Sequence, residues 1–139
     1  MVALRPVQVS DLAAISALDA RLTGFDKPGY WRDMLAPGRH FLLAETDKGA
    51  LAGFIAGEIR AWEFGQPAAG WVFAIQIDPK LRLKGVGTAL FDALVARFKA
   101  EGVTRVRTLV DRKDHLILSF FRAQGMVAGP SLQLDKNLT

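Results

Sequence analysis

Cysteine is absent from the 139 residues. That excludes a disulfide frame, a thiol nucleophile and a thiolate metal site. Histidine is nearly absent: His40 and His115 are too few and too isolated for a metal centre, so surface or capping roles and no metal are expected. No apolar run approaches the roughly 20 residues that a membrane helix needs. The opening MVALRPVQVSDL has no long apolar core of the kind a secretion signal carries. A cytoplasmic protein without a membrane partner is therefore expected. Basic residues never run five together, and the net charge of +4 is spread along the chain. Nothing in that pattern supports a nucleic-acid partner. Repeats, low-complexity tracts and linkers are also missing, which leaves one domain over residues 1–139.

What is present is an alternation of element signals. Val2 to Val7 reads as a first strand. Ser10 is placed to cap a helix whose Leu12, Ile15, Leu18 and Leu22 follow a helical period. GFDKPGYWRDMLAPG reads as a short second helix. Strands are expected over His40–Thr46, Ala50–Arg60 and Gly70–Ile77, the first two joined by a tight Asp47-Lys48-Gly49 turn. Leu90, Phe91, Leu94, Val95 and Phe98 make the apolar stripe of a third helix, which Gly102 closes. Val103–Val110 is rich in β-formers, Asp114 caps a helix over His115–Gln124, and MVAG with SLQLDKNL reads as a final hairpin. Seven strands and four helices in this order make a mixed α/β arrangement.

Between the strand ending at Ile77 and the third helix lies DPKLRLKGVGTAL. A P-loop requires lysine and Ser/Thr directly after the second glycine, but Lys84 precedes Gly85 and Thr88 follows Gly87. A dinucleotide fold fits poorly, because seven residues separate Ile77 from Gly85 and Leu90 takes the position of the third glycine. A basic loop feeding a helix N-terminus remains. Its first-turn N–H groups are unpaired and partly positive, and glycine lets a phosphate approach them closely. Arg82 and Lys84 add charge at the rim.

Arg82-Leu83-Lys84-Gly85-Val86-Gly87, with IDP before it and TALFDALVARFKAEGV after it, resembles the signature of the GNAT superfamily of acyl-CoA-dependent N-acyltransferases. LRPVQVSDLAAI and LILSFFRAQGM are similar to that family's opening and closing segments, so the resemblance spans essentially the whole chain. It implies a central, mostly antiparallel seven-stranded sheet flanked by four helices, with the fourth and fifth strands splayed apart. It implies acetyl-CoA as co-substrate and transfer of an acetyl group to a primary amine by direct attack on the thioester. The backbones of Ile75, Gln76 and Ile77 would pair with the pantetheine, with an N–H near Ile75 polarising the thioester carbonyl. Arg82, Leu83, Lys84, Gly85, Val86, Gly87 and Thr88 would bind the pyrophosphate. Tyr30, Trp31, Trp62 and Phe64 would line the acceptor pocket. The acceptor would be a small-molecule or peptide amine, and a homodimer is an assembly common in the family.

Two features depart from the family pattern. Phe121, counted among the cofactor-lining positions, stands where a tyrosine usually protonates the departing thiolate, and phenylalanine has no proton to give. No base is obvious either. A protonated amine must lose a proton before attack. Glu58, in the largely apolar FIAGEIRAW, and Asp111, at the end of the fifth strand, are the candidate catalytic carboxylates. These departures leave a second reading, a non-catalytic acyl-CoA-binding or sensing module.

Overall fold

A computed structural model describes residues 1–82 and 84–139. The chain divides into two units, Met1–Leu109 and Val110–Thr139. In the first unit, β1 (Val2–Pro6) leads to α1 (Leu12–Thr23) and α2 (Tyr30–Asp33). Then come β2 (Arg39–Thr46), β3 (Leu51–Arg60), β4 (Ala69–Ile77), α3 (Val86–Ala100) and β5 (Val106–Thr108). The second unit carries α4 (His115–Ala123).

The five strands form one sheet in chain order. The first three pairings are antiparallel and β4–β5 is parallel. The turns between β2 and β3 and between β3 and β4 make those neighbours antiparallel, whereas β1 reaches β2 through α1 and α2. Thr46 N donates to Ala50 O, with Gly49 at φ 79 supplying the left-handed turn residue predicted there. A parallel pair needs a crossover, which α3 provides.

Strand alternation sorts the side chains onto two faces. Phe41, Leu43, Phe54 and Ala56 face α1 and α2, packing with Ile15, Leu18, Trp31 and Met34. The opposite face receives α3 through its predicted stripe, in which Leu90, Phe91, Leu94 and Phe98 are buried. The Phe98 ring lies directly on Gly70, where a Cβ would collide with it, and close to Gly57, where a Cβ would meet the Trp71 carbonyl. It also meets the His40 ring edge-on, and His40 Nε2 lies 2.7 Å from Glu101 at the end of α3. His40 thus ties β2 to that helix end.

Several boundaries correct the sequence reading. Among the described residues the expected seven-stranded sheet is a five-stranded one, because the expected final hairpin does not form: residues 126–139 carry no strand. Their leucines at 132, 134 and 138 are exposed, so alternation there serves no buried face. The fifth strand shrinks from 103–110 to Val106–Thr108. Val103 is used instead to close α3, its N–H donating to Phe98 O after the left-handed Gly102. Ser10 does not cap α1. Asp11 closes a preceding 3-10 turn by accepting the Gln8 N–H at 2.7 Å, while both its oxygens bind Arg5. Asp114 caps α4 as expected, accepting the Ile117 N–H at 3.1 Å.

Candidate active site

The parallel contact between β4 and β5 is brief. It pairs Gly70 with Val106, Trp71 with Arg107 and Val72 with Thr108, and then β5 ends. Beyond Val72, β4 continues through Phe73, Ala74, Ile75, Gln76 and Ile77, and among the described residues no strand pairs with it on that side. About 16 Å of strand edge is open there.

The register with β3 fixes which backbone groups face the opening. Asp78 N donates to Ala52 O at 2.8 Å. Ile77 pairs with Gly53, Gln76 with Phe54 and Ile75 with Ile55. Hydrogen-bonded and non-hydrogen-bonded pairs alternate along an antiparallel ladder. Gln76 therefore turns its backbone to β3, whereas Ile75 and Ile77 turn theirs to the open side. Of the three residues assigned to the pantetheine, the alternation leaves two with free-facing backbones. A bulge makes this phase possible: the register shifts between Ala56 and Gly57, which leaves Phe73 as the extra residue on β4.

The strand leads into Asp78, whose side chain accepts the Lys80 N–H at 3.0 Å and starts a 3-10 turn over Pro79–Leu81. Arg82 and Lys84 are exposed, and Leu83 lies outside the described residues. Gly85 is the N-cap of α3, with φ 78 and open space where a Cβ would stand. The first helical hydrogen bond runs from Ala89 N to Gly85 O. The N–H groups of the turn between them, including Val86 and Gly87, point out of the helix end. Val86 is buried and anchors that turn. Thr88 is exposed on it.

Glu58 sits on the α1/α2 face, at the end of β3. The apolar surroundings expected from its neighbours in sequence are not its surroundings in space. Arg39 Nε donates to one carboxylate oxygen at 3.3 Å and Arg60 Nε to the other at 3.1 Å. Arg39 in turn donates to the carbonyl of Asp33 on α2 at 2.7 Å. The Arg60 guanidinium lies over two rings of β4, 5.7 Å from Trp71 and 5.0 Å from Phe73. Arg39, Arg60 and Phe73 were missed by sequence reasoning. The i, i+2 spacing of Glu58 and Arg60, which puts both on one strand face, was the available signal.

Asp111 belongs to the second unit, where its side chain accepts the Lys113 N–H at 2.8 Å and its carbonyl accepts from Asp114. It stabilises a turn. Phe121 is buried on α4 with Phe120 at its edge.

The four aromatic residues assigned to the acceptor pocket separate. Trp31 is a core residue, 3% exposed, packed against Tyr30, Phe41 and Phe54. It does border a cleft of about 250 Å³ with Ser16, Lys27 and Arg32. Next to it, the buried Asp19 has Oδ2 at 2.8 Å from Lys27 Nζ, a distance of an ion pair without the angles of a hydrogen bond. Tyr30 is half-buried, and that burial pushes its phenol above the ordinary tyrosine range. Trp62 and Phe64 project from the β3–β4 turn, both exposed and both at positive φ, 63 and 50. Left-handed backbone costs a side-chain-bearing residue about 1–2 kcal/mol. Hydrogen bonds from Trp62 N to Gln66 O and from Gly65 N to Trp62 O hold the turn in it.

Residues 8–126 match the description "Acetyltransferase (GNAT) family". The chain belongs to the GNAT acetyltransferase family. This GNAT chain is 30% identical over 89 residues to a mycothiol acetyltransferase of Kocuria rhizophila, covering 63% of the chain and 29% of that protein. It is 30% identical over 91 residues to an L-2,4-diaminobutyric acid acetyltransferase of Nocardia farcinica, covering 66% and 45%. The chain thus spans less than half the length of these curated relatives. The structure of AAC(6')-Iy in complex with the bisubstrate analog CoA-S-monomethyl-acetylneamine superposes with a TM-score of 0.84, at 16% identity, over 100% of this chain and 99% of that one. That likeness carries the fold.

Among the described residues no cluster of three metal-ligating side chains occurs, and no helix is long and apolar enough to cross a membrane.

Proposed function

We propose that the chain is an acetyl-CoA-dependent N-acetyltransferase acting on a small molecule with a primary amine. The observation that carries this reading is the open half of β4, with the backbones of Ile75 and Ile77 turned into it and a glycine-capped helix N-terminus beyond its end. Those residues suit acetyl-CoA: strand-like backbone groups for the pantetheine amides, and helix N–H groups with Arg82 and Lys84 for the pyrophosphate. Acetyl-CoA supplies an activated acyl group as a thioester. The Ile75 backbone faces the opening, where its N–H would donate to the thioester oxygen as charge develops there. The amine nitrogen forms the new C–N bond as the C–S bond breaks, and the amine's surplus proton passes to solvent or to a carboxylate. Phe121 has no proton to return, so the sulfur leaves as thiolate and takes its proton from water, consistent with a thiol pKa near 8.5. The names of the curated relatives favour a small, polar amine as acceptor.

Calorimetry with acetyl-CoA tests the reading first. Micromolar, saturable binding is expected, lost in Gly85→Glu, which sets an anion at the helix N-terminus. No binding by the parent protein refutes it.

A second reading, an acyl-CoA-sensing module without turnover, is favoured by Phe121 and by the engagement of Glu58 with two arginines. Thiol release from acetyl-CoA with a panel of amines separates the two. Binding without release on any amine selects the sensor.

A further inference from the structure

Glu58, Arg39 and Arg60 form a chain of contacts across the α1/α2 face. It starts at the carbonyl of Asp33 on α2, passes through Arg39 on β2 and Glu58 on β3, and reaches Arg60. Arg60 then covers Trp71 and Phe73. Those two rings flank Val72, the last β4 residue paired with β5, and Phe73 is the bulge residue itself. The bulge decides the phase of everything after it. Without the extra residue, the backbone facing the opening would shift by one position, and Ile75 and Ile77 would turn toward β3.

We propose that Arg60, aimed by Glu58, is a positioning residue that clamps the β4 bulge and so aims the Ile75 and Ile77 backbones into the β4–β5 opening. Glu58 then acts through Arg60 and is not the base that deprotonates the amine. The side chains fit that task. Arg60 Nε makes one hydrogen bond to Glu58, which leaves the guanidinium plane over the rings. Arg39 holds the other carboxylate oxygen, so Glu58 cannot rotate away without breaking a second contact. Both groups lie on the strand face opposite α3, so α3 and its N-terminal turn are not part of the clamp.

The inference rests on the acetyltransferase reading for its affinity test. Calorimetry with acetyl-CoA is performed on the parent, Arg60→Met, Glu58→Gln and the double variant. Amide hydrogen exchange is followed without ligand. The clamp predicts that each single variant weakens acetyl-CoA binding about three- to tenfold, the size expected for losing a cation held over two rings. The double variant is no weaker than the singles. Exchange rises at Gln76, whose backbone the present phase turns to β3, and is unchanged in α3. A base has no reason to alter acetyl-CoA affinity, so an unchanged affinity in Glu58→Gln overturns the proposal. So do losses that add in the double variant, or exchange that rises equally throughout the sheet. If the parent itself binds no acetyl-CoA, the acetyltransferase reading has failed, and the exchange pattern alone decides whether Arg60 positions the bulge.

Discussion

Gly70 offers the sharpest test of the packing beneath the site. A Cβ added there would stand 2.2, 2.4 and 2.5 Å from Cδ2, Cε2 and Cγ of Phe98. All three atoms belong to one ring, so no small torsion clears them and the whole side chain must move. Phe98 is 2% exposed, and its ring is fixed on another side by His40, which is itself paired with Glu101. Forcing a methyl into such a site costs about 1–3 kcal/mol. Alanine restricts the unfolded chain more than glycine and returns about 0.4–1 kcal/mol. Gly70→Ala should therefore lose about 1–2 kcal/mol net. Urea unfolding reads this as a lower midpoint at unchanged slope. Adding Phe98→Leu should recover part of the loss, since the smaller side chain leaves room for the methyl. The two substitutions touch one another, so their costs should fail to add by about 1 kcal/mol. A Gly70→Ala protein as stable as the parent, or strictly additive costs, would refute this account of the α3–sheet contact.

Other perturbations follow from individual contacts. Asp11 is held below the usual carboxylate range chiefly by its hydrogen bonds from Arg5. A depressed native pKa gives stability that is present above the unfolded pKa and lost as pH falls through the native one. Asp11→Asn should therefore flatten the acid limb of a stability–pH curve and leave its shape above pH 6 unchanged. Asp114→Ala removes the N-cap of α4 and should cost about 1 kcal/mol, read as faster amide exchange in His115–Ala123 with β2 and β3 unaffected. Gly85→Ala adds no charge to the loop but strains a left-handed position by about 1 kcal/mol. It should weaken acetyl-CoA binding less than Gly85→Glu, which calorimetry on both variants checks.

Order and type of the elements up to α4 were legible in the sequence because their causes are local. The helical period of Leu90, Leu94 and Phe98 fixes the buried side of α3 without knowledge of the sheet. Gly85 marks a helix start through its backbone freedom and Asp114 through its capping side chain. What could not be read depends on partners distant in sequence. The tail at 126–139 carries strand-like alternation, yet a strand exists only where an edge receives it. Trp31 reads equally well as pocket or core until Phe41 and Phe54 are seen to enclose it. The guanidinium on one oxygen of Glu58 comes from Arg39, visible only once the β2–β3 register is known. The bulge at Phe73 has no glycine or proline beside it on its own strand to announce it.

The open half of β4 has a consequence for the protein's behaviour outside any reaction. An unpaired stretch of strand is a template for any extended polypeptide, and most sheets protect such stretches with charge, proline or a covering loop. Here protection cannot be permanent if a ligand must enter. On the proposed reading the co-substrate is also a stopper. Protein starved of acetyl-CoA should be the form that self-associates on storage, and acetyl-CoA should act as a solubilising agent well before it acts as a reactant.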